Sequence, residues 1–272
     1  MHPFIRTLPP VCLVLSLLLP EVAAKPTFEK NGEVTIPRVD FKTEGGKVSA
    51  SFRATRWGMY DLMYEGTPDS HPKAMLNGEG PVEGRSAAPG SQLTEAEMGL
   101  LGRFYIKKAG PCVIQLDGAA TGVMALRLVP APEASYVVQR EGEAIELDAR
   151  NCRISGVMLR YEPNPRKLCI GFWGNPNDYP VWKFTVATAG KYEVVLTQGC
   201  GRGAGGSRAV LETAGTSLEF TVKDTGGYQN WIDVSLGEVA FDKSGPQELT
   251  VKVLKKARGV MDIRRIVLKP VK

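Results

Sequence analysis

The same strand–turn–strand pattern occurs twice in this chain, and that repetition restricts the fold more than any other feature. In the second copy Trp182, Phe184 and Val186 alternate with Val181, Lys183 and Thr185. Ala189-Gly190 then turns the chain, and Tyr192, Val194 and Leu196 alternate again. A period of two marks a half-buried strand, because successive side chains point to opposite faces. Val48 to Gly66 matches this stretch, aligning Phe52 with Phe184, Gly58 with Gly190 and Tyr60 with Tyr192. Two further blocks follow in the same order. LGRFYIKKAGP (Leu101 to Pro111) matches LGEVAFDKSGP (Leu236 to Pro246), and Gly122-Val123-Met124 matches Gly259-Val260-Met261. With Gly58, Gly110 and Gly122 as markers, the copies lie 132, 135 and 137 residues apart, a drift that loop insertions explain. Three blocks in one order predict two homologous domains.

The fold class this predicts is all-β, with two tandem β-sandwich domains. Strands are expected at Lys47 to Thr55, Met59 to Glu65, Lys73 to Leu76, Leu101 to Lys107, Cys112 to Leu116 and Met124 to Val129. In the second half, besides the opening pair, they are expected at Ala209 to Glu212, Ser217 to Val222, Trp231 to Phe241, Gln247 to Val253 and Met261 to Leu268. The 30 glycines and 19 prolines suit many short strands joined by tight turns. Thr94 to Met98 has room for one helical turn at most. The first domain is placed at residues 31–132, a linker stiffened by Pro130 and Pro132 at 133–140, and the second domain at 141–272.

Residues 1–24 read as a signal peptide. Arg6 supplies the positive start, Val11 to Leu19 the apolar run, and Val22-Ala23-Ala24 a small-residue cleavage signal. The run is too short to span a bilayer, which takes about 20 residues, and no later run is long or apolar enough. The expectation is a secreted or periplasmic protein that starts at Lys25. A net charge of +5, with cations interleaved among acids, does not indicate nucleic-acid binding. Cys12 leaves with the signal, so Cys112, Cys152, Cys169 and Cys200 remain. Export permits disulfides, and a Cys152–Cys169 bridge closes a loop worth roughly 3 kcal/mol; four buried thiols are the equal alternative. No cysteine spacing suits a zinc site, and His71 is the one histidine left after cleavage.

Gly199 to Gly206 (GCGRGAGG) has the glycine content of a phosphate cradle, but the residues after it alternate as a strand where a phosphate-binding turn opens a helix. A wide turn between strands accounts for it better. Asp69, Ser70 and His71 are direct neighbours, and such neighbours rarely point at one another as a triad requires; no serine lies in a GxSxG elbow. Glu65 with Asp69 and Glu95 with Glu97 read as solvated turn acids. The expectation is a protein that is not an enzyme. Aromatics at loop ends are more informative: Trp173 and Tyr179 flank Asn175-Pro176-Asn177-Asp178, and Tyr228, Asn230 and Trp231 close the loop TGGYQNW. An exposed aromatic beside an amide complements a sugar, which has an apolar C–H face and a polar rim. Trp182 shares parity with Phe184 and is core. Trp231 fits either the core or an exposed rim, and Trp173 leans to exposure.

At these residues the second half resembles the family 6 and family 35 carbohydrate-binding modules, galactose-binding-like jelly rolls carried by secreted polysaccharide-degrading enzymes. The resemblance covers Glu143 to Leu268 through IELDARNCRISG, IGFWGNPNDYPVWKF, AGKYEVVL, TGGYQNW and GVMDIRRIVL. It implies sugar stacking on Tyr228 or Trp231, and a structural calcium near Glu146 or Asp148. It also implies a glycan or polysaccharide as partner, with a secreted sulfatase or glycosidase as a companion. Val260-Met261 stands where such modules often place a sugar-binding asparagine. The first half has Gln92 to Met98 in place of the TGGYQNW aromatics, and its opening strand reads as truncated. The leading expectation is a secreted, non-catalytic carbohydrate-binding protein with Trp173, Tyr179, Tyr228, Asn230 and Trp231 in the site. The alternatives are a structural or interaction protein of the cell envelope with these aromatics buried, and a secreted hydrolase or lyase accessory.

Overall fold

The computed structural model describes residues 27–28, 30–67, 72–82, 98–117 and 120–271. Its first half holds β1 (Thr27–Phe28), β2 (Val34–Pro37), β3 (Lys42–Glu44), β4 (Lys47–Ala54), β5 (Gly58–Gly66), β6 (Lys73–Leu76), β7 (Met98–Ile106), β8 (Gly110–Asp117) and β9 (Val123–Pro130). The second half begins with β10 (Val137–Val138), β11 (Ile145–Asp148), β12 (Cys152–Ser155), β13 (Arg160–Glu162), β14 (Cys169–Gly171) and β15 (Tyr179–Val186). It ends with β16 (Gly190–Cys200), β17 (Arg208–Thr213), β18 (Thr216–Thr221), β19 (Gly227–Phe241), β20 (Gly245–Lys255) and β21 (Asp262–Pro270). Among the described residues the helical segments are two 3-10 turns, Arg38–Asp40 and Ala149–Asn151. None of them is long and apolar enough to cross a membrane.

The strands form four sheets, packed as two β-sandwiches. Sheets β1-β2-β9-β5-β7 and β3-β4-β8-β6 enclose the first core; sheets β10-β15-β20-β17-β18 and β13-β14-β21-β16-β19 enclose the second, with β12 on β15 and β11 on β21. Alternation explains the burial. Along β8, Cys112, Ile114 and Leu116 point inward while Pro111, Val113 and Gln115 face out. Trp182, Phe184 and Val186 point into the second core, as their parity predicts.

The two sandwiches repeat one topology. β4 pairs with β8 as β15 pairs with β20, and β5 lies between β7 and β9 as β16 lies between β19 and β21. Even an irregularity is repeated. Leu62 faces Gly102 and Met63 faces Leu100, leaving Leu101 as an extra residue; Val194 faces Gly237 and Val195 faces Ser235, leaving Leu236. Each of these β-bulges sits at a glycine with positive φ, +142° at Gly102 and +121° at Gly237. The opening strand of the first sandwich is not truncated, contrary to the sequence reading. β2 is as long as β11, and each runs into a 3-10 turn. Its short, proline-ended sequence VTIP is a strand whose Val34 and Ile36 are buried.

The spacing between copies grows from 111 residues at Val34 and Ile145 to 132 at Gly58 and Gly190. The difference lies at one place. Gly45-Gly46 joins β3 to β4, whereas residues 156–178 join β12 to β15 and cross to the opposite sheet as the hairpin β13–β14. The segment expected as a stiff linker is pinned to both halves. Ala131 N–H donates to Met59 O at 2.9 Å and Ala134 N–H to Arg150 O at 2.9 Å. Val137–Val138 adds to β15 as a parallel strand. Buried Gln139 donates to Glu143 O (2.7 Å) and Tyr192 Oη (2.8 Å) and accepts from Ala187 N–H and Thr188 N–H. A buried amide with its donors and acceptors satisfied locks this crossing in place.

Candidate functional site

The hairpin β13–β14 and the loop after it are organised by one carboxylate. Asp178 is fully buried; its Oδ2 accepts from Met158 N–H (2.7 Å) and Leu159 N–H (2.9 Å), and its Oδ1 accepts from Asn175 Nδ2 (2.7 Å). Asn175 Oδ1 accepts from Asn177 N–H at 3.1 Å. The polar groups of the NPND turn therefore hold the loop together. Trp173 is 5% exposed, and its indole donates to Asp178 O at 2.8 Å. This corrects the expectation of an exposed Trp173: the indole N–H finds a carbonyl inside the loop, which lets the ring join the second core. Tyr179 is half-buried at the start of β15, with Lys252 Nζ 5.6 Å from its ring centroid.

Tyr228, Asn230 and Trp231 lie together at the start of β19, the edge strand of its sheet. Tyr228 is 39% exposed, Asn230 is exposed and Trp231 is half-buried. The glycine-rich segment is a wide turn, as expected, and it forms the seat for this corner. A Cβ on Gly201 would come within 2.7 Å of the Tyr228 ring, one on Gly259 within 2.9 Å of Tyr228 Oη, and one on Gly199 within 2.1 Å of Tyr228 O. Asp224 braces the two loops, accepting from Gly226 N–H (2.8 Å) and Gly203 N–H (2.5 Å). These two backbone donors hold its carboxyl below the usual range. Asn230 Nδ2 donates to Thr225 O at 3.0 Å, and the Arg264 guanidinium lies 5.6 Å from the Trp231 ring centroid.

Beside this corner lies a group that sequence reading missed. Glu162, Cys169 and Asp262 are all buried, and their ligand atoms lie within 4.8 Å of one another. Cys169 Sγ is 3.6 Å from Asp262 Oδ2 and 3.9 Å from Glu162 Oε1, while Glu162 Oε2 pairs with Lys167 Nζ at 2.5 Å. Burial, with Glu162 close by, raises the Asp262 carboxyl to about 7. Burial and the two carboxylates raise the Cys169 thiol as well. Asp262 and Cys169 are 93 positions apart, so no local motif exposes the group. The one available signal is an acid directly after the buried pair Val260-Met261.

Glu146 and Asp148 stand on β11, where Glu146 is exposed and Asp148 approaches Arg150 at 3.7 Å. Neither belongs to a group of three metal-ligand side chains among the described residues. Cys112, Cys152, Cys169 and Cys200 are buried free thiols, so of the two open readings the structure takes the second. Residues 1–24, expected as a signal peptide, the Asp69-Ser70-His71 run and Glu95 with Glu97 lie outside the described residues.

The halves meet through the same hairpin. Arg160 lies over both Trp57 (4.3 Å to the ring centroid) and Phe172 (4.4 Å), and those two rings meet edge-on at 5.4 Å. Trp57 Nε1 donates to Tyr161 O at 3.2 Å, and Gly156 N–H to Asn31 O at 2.8 Å.

No protein-family model matches the sequence, and no curated protein matches it. Among solved structures, the chain is similar to the C-terminal family 6 module of a laminarinase from Zobellia galactanivorans, with 21% identity, 46% of this chain and 98% of that one covered, and a TM-score of 0.39. A family 35 module from Cellvibrio japonicus matches at 13% identity over 47% of this chain and 94% of that one, with a TM-score of 0.39. A mannanase from Podospora anserina that carries a family 35 module matches at 14% identity and a TM-score of 0.39, over 48% of this chain but 28% of the enzyme. About half of this all-β chain is thus structurally similar to carbohydrate-binding modules of families 6 and 35.

Proposed function

We propose that this chain is an exported, non-catalytic glycan-binding protein whose sugar contacts are made by Tyr228, Asn230 and Trp231. The observation that carries this reading is the rigid exposed corner at the start of β19. An aromatic face open to solvent stands two residues from an exposed amide, on loops braced by Asp224 and seated on glycines. Such a platform meets a sugar ring with little ordering cost, since the loop is held before the ligand arrives. The Tyr228 ring supplies apolar area for the C–H face, and the Asn230 amide and Arg264 supply donors for its hydroxyls. Tyr179, half-buried at the start of β15, would add a contact for a longer chain. Trp173 drops out, because its ring and its N–H are both occupied inside the protein.

The test is affinity electrophoresis through gels containing soluble polysaccharides, supported by a glycan array. Wild-type protein is expected to be retarded by at least one polysaccharide. Tyr228→Ala and Trp231→Ala each remove an aromatic surface worth about 1.5–3 kcal/mol when covered, which corresponds to roughly a tenfold or greater loss of affinity. Retardation unchanged in both variants, or absent in the wild type, would sink the reading.

A further inference from the structure

We propose that Glu162, Cys169 and Asp262 form a binding site for a divalent cation of the zinc class, with Lys167 positioning Glu162. The spacing comes first. Tetrahedral zinc with bonds of about 2.3 Å to sulfur and 2.0 Å to oxygen holds its sulfur and oxygen ligands about 3.5 Å apart. Cys169 Sγ stands 3.6 Å from Asp262 Oδ2 and 3.9 Å from Glu162 Oε1, close to that separation, and the three ligand atoms lie within 4.8 Å of one another.

The second observation is a buried carboxylate whose one donor among the described residues is a thiol. Asp262 is 5% exposed, and the hydrogen bond its carboxylate receives among the described residues comes from the Cys169 thiol, at Oδ2. A buried carboxylate in this state needs a cation or a proton. Lys167 does not supply that cation, because it is paired with Glu162 Oε2. That pairing turns Oε1 toward Cys169, the outer-sphere task that orients a metal ligand. The charges close: a divalent ion and Lys167 balance a thiolate and two carboxylates.

Third, the two carboxylates converge over a residue that has no side chain. A Cβ on Gly171 would lie 2.2 Å from Glu162 Oε1 and 3.1 Å from Asp262 Oδ1. The fold does not require the group either. The strand register shifts the matched Gly-Val-Met blocks by three residues and sets Gly122 in the place of Asp262: Leu62 faces Leu128 as Val194 faces Leu268, and Gly66 faces Val123 as Gln198 faces Ile263, so the same topology forms with no side chain there. A thiol among the ligands favours a borderline-soft ion over calcium or magnesium, which prefer oxygen. Three protein ligands leave a fourth tetrahedral position open.

The experiment uses full-length protein stripped with chelator and titrated with cobalt(II), whose bond to a thiolate gives a near-ultraviolet charge-transfer absorption. The expected result is that absorption saturating at one cobalt per chain and disappearing when zinc is added. Cys169→Ser should abolish it, Asp262→Asn should weaken cobalt binding at least tenfold, and Cys112→Ser in the first sandwich should leave it intact. Should Cys169→Ser fail to fold, the thermal midpoint of the wild type decides: zinc is expected to raise it and an equal concentration of calcium is not. No charge-transfer absorption, its survival in Cys169→Ser, or equal stabilisation by calcium overturns the proposal. None of these readouts involves a glycan, so the outcome is independent of the function proposed above.

Discussion

Gly58 and Gly190 open equivalent strands in two sandwiches built on one plan, yet the halves bury different cores and carry different surfaces. The residue equivalent to Trp182 is Ala50, so the second core holds an indole where the first holds a methyl group. On the outer sheet, Asp61 and Arg103 form a two-point ion pair (2.6 and 2.9 Å) where the second half sets Glu193 opposite Glu238. The largest difference is the hairpin β13–β14, which replaces the Gly45-Gly46 turn and brings Glu162, Arg160, Cys169 and Phe172 with it. The two sandwiches thus share one frame, and the longer connection in the second supplies both the contact between the halves and one wall of the candidate site. Phe172 illustrates the strain in that wall: it is 48% exposed at a φ of +60°, a conformation that side-chain-bearing residues seldom adopt.

Three substitutions separate what belongs to the frame from what belongs to the longer connection. The largest effect is expected for Trp182→Ala. Its indole is fully buried and donates to Asp148 O at 2.8 Å, so its loss should cost about 3–5 kcal/mol. In denaturant melts the second sandwich should unfold early while the first keeps its midpoint. A concerted shift of both would show the halves to be a single cooperative unit. Next is Asp178→Ala, which leaves three donors without their acceptor and should cost roughly 3 kcal/mol. Because the hairpin has no counterpart in the first half, hydrogen exchange should accelerate at residues 156–178 and leave β4 and β5 unchanged. The smallest effect is expected for Trp57→Ala, which removes the cation–π contact with Arg160 and the hydrogen bond to Tyr161 O. That contact is worth about 0.5–2 kcal/mol, and its loss should show as freer motion between the halves in small-angle scattering, with each core intact.

Much of the frame was legible in the sequence because it depends on short-range patterns. Period-two burial at Trp182 to Val186 and at Tyr192 to Leu196 defined strands that the structure places in a core. The strand after GCGRGAGG ruled out a helix-based phosphate cradle, and β17 runs there. Where the reading failed, a partner distant in sequence decided. Trp173 looked exposed because its neighbours are polar, but Asn175 and Asp178 turn inward onto backbone donors and draw the ring in with them. The opening strand of the first half looked truncated because VTIP is a run of only four residues ending in proline, yet pairing with β9 makes it a full counterpart of β11.

The chain's own pattern of alternating residues and repeated glycines was enough to specify two all-β halves, because strand parity and turn chemistry are local properties. Which aromatic faces water, that all four thiols stay free, and that two acids and a thiol from β13, β14 and β21 meet over Gly171 were decided by the tertiary structure. Charge proximity in that group depends on strands brought together across 93 positions from Cys169 to Asp262 and 100 from Glu162 to Asp262, and no local pattern encodes such distances.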